Sequence, residues 1–278
     1  MRSSHAGIRK LSFGSNAVRT NYPILSARWR KERRSSRALG VMAKAPRPGH
    51  VKTRLVPPLT QEEAAELSLC FLRDTATNVA DVAAREVADC VAVYTPVGSE
   101  HAFEGVLPDC FGLLAQCGDS LGERLFHATQ NLLELGYESV CLINSDSPTL
   151  PGDRLTSALA AMSLPGDRVV LGPAEDGGYY LIGLKEAHRH LFIDIDWSTA
   201  RVLSQTIDRA SEIDLEVYQL PSWYDLDDVE TLYRLCDELF RGNGDRGRHR
   251  YSAAFTRDYL ARLLERDDGK RIWPGGSA

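Results

Sequence analysis

From residue 37 onward, short apolar runs alternate with longer stretches in which apolar side chains recur every three or four positions. The runs at 38–43, 87–94, 111–116, 139–144, 168–172, 179–184 and 215–220 read as strands. The periodic stretches at 60–85, 121–135, 151–162, 199–209, 228–240 and 255–265 read as helices. Thr60 with Glu63 spells a capping box at the start of the first, and Pro151 opens the third. Strands alternating with helices predict an α/β fold: a mixed, mostly parallel sheet with helices on both faces. Ligands of such sheets sit beyond the carboxyl ends of the strands. The polar motifs of this chain follow strand ends, so they are expected to converge on one edge.

The pattern also sets the domain organisation. Residues 38–240 show no internal repeat and no linker, which predicts one domain. Residues 241–250 form a Gly/Arg-rich break, so 241–278 is expected to be a linker, a helix and a tail. Residues 1–37 are rich in Arg and Ser and lack periodicity. Their composition is that of an organelle transit peptide or of a disordered basic extension, and the second reading is adopted here, with the segment left out of the fold.

Charge sharpens this picture. The chain carries a formal −5, but residues 1–40 hold ten Lys/Arg against one acid, which leaves −14 for the rest. An acidic body argues against general nucleic-acid binding, which calls for a basic face. No run approaches the roughly 18 apolar residues of a membrane span. The six cysteines form no C-x-x-C pair and no metal-ligand spacing, so free thiols and a cytoplasmic location are expected.

One stretch breaks the acidic trend: Ala38 to Gln61 contains no Asp or Glu. Within it, Lys44, Arg47, Lys52 and Arg54 supply cations and Thr53 a hydroxyl, while Pro46, Pro48 and Gly49 restrict the backbone. A stiff cationic loop after the first strand fits a phosphate or diphosphate; the competing reading is a solvated charged turn. It matches neither a Walker loop nor G-x-G-x-x-G.

Four further segments carry candidate chemistry. Asp146 follows the fourth strand in Asn144-Ser145-Asp146-Ser147-Pro148, as a Mg²⁺ or Mn²⁺ ligand or as a turn residue. Glu175-Asp176-Gly177-Gly178 separates two strands and is by itself a hairpin signal; functionally, Asp176 would face the reacting centre, with Gly177 and Gly178 letting a ligand approach. Asp227 and Asp228 precede a helix that either can cap, and Asp227 is the candidate second metal ligand. Gly118-Asp119-Ser120-Leu121-Gly122-Glu123-Arg124 opens a helix and places Asp119 and Gly122 as candidate nucleotide contacts or as an ordinary cap. Trp197 in Trp197-Ser198-Thr199 lines the acceptor side or simply packs.

In combination these segments resemble a known family. Ala43-Lys44-Ala45-Pro46-x-Pro48-Gly49-x-Val51-Lys52-Thr53-Arg54-Leu55 is followed by Gly118-Asp119-x-Leu121-Gly122-Glu123-Arg124 and Ser145-Asp146-x-Pro148-Thr149-Leu150. Leu171-Gly172-Pro173-Ala174-Glu175-Asp176-Gly177-Gly178-Tyr179-Tyr180, Trp197-Ser198-Thr199 and Asp225-Leu226-Asp227 complete the series. Over about residues 38–240 the chain resembles the bacterial GT-A-like transferases named radical-SAM/selenodomain-associated transferase 1. The resemblance implies a single-domain, Rossmann-like nucleotide-diphospho-sugar transferase fold of the GT-A type with a divalent metal.

A more distant likeness is to 2-phospholactate guanylyltransferase and to sugar-acid cytidylyltransferases. In the latter a closing V-D-T-P-E-D-L supplies a metal-binding Asp, matched by Asp227 in Leu226-Asp227-Asp228-Val229-Glu230-Thr231-Leu232, with Asp228, Val229 and Thr231 as departures.

The expected activity is glycosyl transfer from a nucleotide sugar to a small-molecule acceptor. Lys44, Lys52 and Arg54 would neutralise the phosphates, Asp146 and Asp227 would hold Mg²⁺ or Mn²⁺, and Asp176 would orient or deprotonate the acceptor. The alternative is nucleotidyl transfer from an NTP with release of pyrophosphate. Asp146 follows its strand without an Asp-x-Asp triplet, which keeps both open.

Overall fold

The computed structural model describes residues 20, 22–26, 34–241, 250–266 and 270–274. Seven strands form one sheet: β1 (Arg37–Lys44), β2 (Asp89–Thr95), β3 (Phe111–Ala115), β4 (Ser139–Ile143), β5 (Arg168–Pro173), β6 (Tyr179–Leu184) and β7 (Glu216–Gln219). Their spatial order is β3-β2-β1-β4-β6-β5-β7. Only β6 runs against its neighbours, pairing antiparallel with β4 and β5, while the other adjacent pairs are parallel. The expected mixed, mostly parallel α/β sheet is therefore what forms.

The helices are α1 (Gln61–Glu86), α2 (Leu121–Glu134), α3 (Gly152–Ser163), α4 (Val202–Ser211), α5 (Val229–Cys236) and α6 (Ala254–Arg266). Strand alternation assigns the two faces. Cys141 and Ile143 of β4 join Leu72, Val79 and Leu159 of α1 and α3 in one core, while Val140 and Leu142 join Leu125, Leu132 and Ala210 of α2 and α4 in the other. Neither face of the sheet is left to solvent, which explains why the strands read as continuous apolar runs.

A third core joins Leu67 and Phe71 of α1 to Leu226, to Leu232 and Leu235 of α5 and to Leu260 and Leu263 of α6. The helix expected at 255–265 thus forms and packs as part of the body, with Ile272 and Trp273 in the same cluster. Residues 242–249 of the expected break lie outside the described residues. No helix among the described residues is long and apolar enough to cross a membrane. All six cysteines are free thiols.

The reading of residues 1–37 as wholly outside the fold is corrected over a short stretch. Leu25 N–H donates to Leu113 O and Leu113 N–H to Pro23 O, so the chain near Ile24 runs parallel along the exposed edge of β3. Tyr22 and Leu25 are buried there, and Tyr22 O–H donates to Leu107 O. Two buried side chains and an unpaired strand edge suffice to hold a segment that shows no periodicity of its own. Most of the expected extension, residues 1–19, lies outside the described residues.

The capping box forms as read: Glu63 N–H donates to Thr60 Oγ1 at 3.1 Å, and Thr60 N–H to Glu63 Oε2 at 2.8 Å. Thr60→Ala is expected to destabilise the protein by about 1 kcal/mol, a fall of roughly 2–4 °C in Tm. Thermal unfolding followed by circular dichroism measures this, and an unchanged Tm would contradict it.

Candidate active site

Three chain segments meet beyond the carboxyl ends of β1 and β4. Because β6 is reversed, the β5–β6 turn lies at this same edge. The segment after β7 then crosses it: Trp223 N–H donates to Pro173 O, Glu175 N–H to Trp223 O, and Leu226 N–H to Asp146 O. Leu226 is fully buried in the third core. In an extended segment residues two apart share a face, so anchoring Leu226 turns Asp225 and Asp227 together to the other side. Asp228 takes the capping role, accepting from Thr231 N–H at 2.9 Å, and leaves Asp227 for the site. The sequence left open which of the two acids caps the helix; the structure gives the cap to Asp228.

Lys52 binds these segments to one another. Its Nζ lies 3.1 Å from Asp146 Oδ2, 2.9 Å from Asp227 Oδ1 and 2.7 Å from Leu226 O. The Lys52 side chain is only 7% exposed, so three ammonium protons meet three protein acceptors with little water present. Burial pulls the lysine pKa down, but the charges and hydrogen bonds of Asp146 and Asp227 outweigh it, and the net shift is upward. The residue stands at φ 49°, the left-handed region, as the backbone enters a single 3-10 turn at Thr53–Leu55.

Asp225, absent from the site expected from the sequence, belongs at its centre. Carboxylate oxygens of Asp176, Asp225 and Asp227 all lie within 4.8 Å of one another. Burial, then Asp227 and Asp176, raise the Asp225 pKa from 3.8 to about 7. Asp225-Leu226-Asp227 is itself an Asp-x-Asp spacing, and that period of two was the available signal. A hard-oxygen donor set of this kind suits Mg²⁺ or Mn²⁺.

The raised pKa has a direction in stability. A carboxyl that protonates more readily when folded contributes stability below its unfolded pKa, and that stability is lost as pH rises through about 7. Without divalent ion, wild type is therefore expected to lose Tm between about pH 4 and pH 7 relative to Asp225→Asn, whose amide does not titrate. Parallel Tm–pH curves for the two proteins would contradict this.

The remaining candidates divide. Asp176 sits in the β5–β6 turn, its Oδ1 accepting from Gly178 N–H at 2.8 Å, so the segment is both a hairpin and a wall of the carboxylate cluster. Lys44 donates to His50 O at 2.8 Å and braces the cationic loop across its base. Arg47, Thr53 and Arg54 are exposed. Around Asp119 and Gly122 an ordinary helix cap forms. Ser120 caps α2 through Glu123, whose carboxylate also accepts from Asp119 N–H, and Arg124 donates to Gly118 O and Asp119 O.

Gly122 lies under the Trp197 ring; a Cβ there would stand 2.8 Å from Trp197 Nε1. Trp197 in turn meets Tyr179 edge to face, with ring centroids 6.5 Å apart. These contacts tie α2 to the start of β6 by packing. Beside the cluster, a cavity of about 660 Å³ is lined by Glu175, Trp223, Tyr224 and Arg234, among others. Glu175 and Tyr224 are the chain neighbours of Asp176 and Asp225.

The fold has a counterpart among solved structures. A protein from Desulfovibrio desulfuricans G20, provisionally assigned as a nucleotide-diphospho-sugar transferase, is 32% identical, with a TM-score of 0.69 over 83% of this chain and 98% of its own. The chain belongs to the nucleotide-diphospho-sugar transferase family. The family model described as "Uncharacterized protein conserved in bacteria (DUF2064)" matches residues 78–199, which include Asp146 and the Asp176 turn.

Weaker likenesses to this transferase are a cytidylyltransferase from Leptospira borgpetersenii serovar Hardjo-bovis (strain JB197) and the inositol-1-phosphate CTP transferase from T. maritima. The first is 10% identical over 88% of this chain and 99% of its own, with a TM-score of 0.49. The second is 11% identical over 83% and 97%, with a TM-score of 0.45. At that distance they carry no argument. Among functionally curated proteins nothing matches.

Proposed function

We propose that this chain is a metal-dependent glycosyltransferase that moves a sugar from a nucleotide-diphospho sugar to a small-molecule acceptor. One observation carries the reading. Carboxylates from three separate segments gather beside a cationic loop that contains no acid, at the ligand-binding edge of the sheet. Asp146 and Asp227 share the buried Lys52, and Asp225 and Asp176 gather beside Asp227, which is an excess of negative charge suited to a divalent cation. The name borne by the Desulfovibrio relative points the same way.

In this reading Mg²⁺ or Mn²⁺ supplies a Lewis acid that stabilises the leaving diphosphate. Asp225 and Asp227 would hold it, with Asp176 and Asp146 alongside. Arg47, Arg54 and the Thr53 hydroxyl would bind phosphate oxygens from the loop, and Lys44 would hold that loop in shape. Asp176 would orient the acceptor hydroxyl and take its proton as the bond forms. The cavity lined by Glu175, Trp223 and Tyr224 offers the acceptor a volume within the usual range for small-molecule sites.

A second reading, nucleotidyl transfer, is favoured by the likeness of residues 226–232 to the closing motif of sugar-acid cytidylyltransferases. It uses the same metal and cations. Incubation with a panel of nucleotide sugars and NTPs with Mn²⁺ separates them: free UDP or GDP from a nucleotide sugar supports the first, and pyrophosphate from an NTP the second. Neither product under any condition would sink both.

A further inference from the structure

Lys52 occupies the place where a divalent ion would join Asp146 to Asp227. Its ammonium has no spare donor: Asp146 Oδ2, Asp227 Oδ1 and Leu226 O take all three protons. An ion bound to those two carboxylate oxygens at the usual distance of roughly 2 Å would stand in contact with Nζ, like charge against like charge beside a buried lysine side chain. The same saturation means that Lys52 reaches a phosphate only by giving up one of these three acceptors. Its long stem permits that exchange, and exposed Arg47 and Arg54 show that the loop faces solvent where a phosphate would arrive.

We propose that Lys52 is a resident counter-ion of the carboxylate cluster, which excludes a divalent cation from bridging Asp146 and Asp227 until a phosphate group draws its ammonium away. The lysine then serves both halves of the site in turn. Without ligand it holds the acids together; with ligand it moves to the phosphate and opens the bridge. An ion that bridges Asp146 and Asp227 is accordingly taken up together with the phosphate ligand. This rests on the reading of the edge as a metal and nucleotide site.

The test uses the full chain and Mn²⁺ alone, with bound ion counted by electron paramagnetic resonance. Lys52→Met is expected to bind Mn²⁺ at least about tenfold more tightly than wild type. Arg54→Met removes a charge from the same loop without touching the two acids and is expected to change affinity by less than about threefold. Unchanged or weaker binding in Lys52→Met overturns the proposal. So does an equal gain in Arg54→Met, which would show a general charge effect.

If Lys52→Met does not fold, a crystal of wild type soaked in Mn²⁺ decides. No bridging ion, or a bridging ion with Nζ moved away from one carboxylate, supports the proposal; a bridging ion with Nζ still on both carboxylates overturns it. Addition of pyrophosphate separates the two claims. If neither protein then binds Mn²⁺, the metal-site reading falls and takes this one with it. If both bind with equal affinity before and after, only the role of Lys52 falls.

Discussion

Asp227→Ala is expected to lower turnover by about 10²–10³-fold, a loss of roughly 3–4 kcal/mol of transition-state stabilisation. The neighbouring Asp228→Ala is expected to leave turnover within about threefold of wild type and to cost about 1 kcal/mol of stability instead. The contrast follows from what each acid touches. Asp227 Oδ1 lies 2.9 Å from Lys52 Nζ and within the carboxylate cluster. Asp228 caps α5 through Thr231. Turnover on the donor identified by product release, paired with thermal unfolding of both variants, measures the split. Equal turnover losses in the two would contradict the assignment of roles.

Gly177→Ala is expected to be the most damaging small change at the site. Gly177 stands at φ 91°, and a Cβ on it would lie 2.2 Å from Ala200 O and 2.6 Å from Ala200 Cα. No rotamer relieves a clash between two backbones, so either the β5–β6 turn or the segment 197–201 must move. Leu203 N–H donates to Gly177 O, which ties the turn to the first residues of α4 as well. A destabilisation of about 2–4 kcal/mol is expected from positive φ and overlap together. The displaced turn carries Asp176, so activity falls further than stability alone explains.

Gly178→Ala is the control: the atoms nearest its Cβ would be those of the Asp176 carboxylate, the first at 3.1 Å. Urea unfolding of both variants measures the difference. A Gly177→Ala protein as stable as wild type would refute the packing described for this turn.

The strands and helices were legible because nearly every strand is buried on both faces and most helices are amphipathic. β6 was read at its full extent, Tyr179–Leu184, directly after the Glu175–Gly178 turn signal. Elements set by tertiary contact were not legible. The 3-10 turn at Glu100–Phe103 and the pairing of Ile24 beside β3 depend on partners far away in sequence.

At the site, Asp146, Asp176, Asp227 and the cationic loop were found by residue type and by position after strands. Asp225 was passed over because its role comes from Leu226, whose burial aims both flanking acids the same way. The part played by Lys52 was hidden for a related reason. Sequence counts it as one more loop cation; only the fold shows its ammonium turned inward onto Asp146 and Asp227. Gly122 and Trp197 were singled out separately, and the structure joins them in a single packing contact.

In the proposed function Asp225 and Asp227 hold a divalent ion against a diphosphate gripped by the cationic loop. Anomalous diffraction from crystals grown with Mn²⁺ and UDP or GDP tests it most directly. A manganese peak is expected roughly 2.2 Å from carboxylate oxygens of Asp225 and Asp227, with the diphosphate on Arg47, Thr53 and Arg54. A manganese ion bound elsewhere, or a diphosphate seated away from this loop, would contradict it.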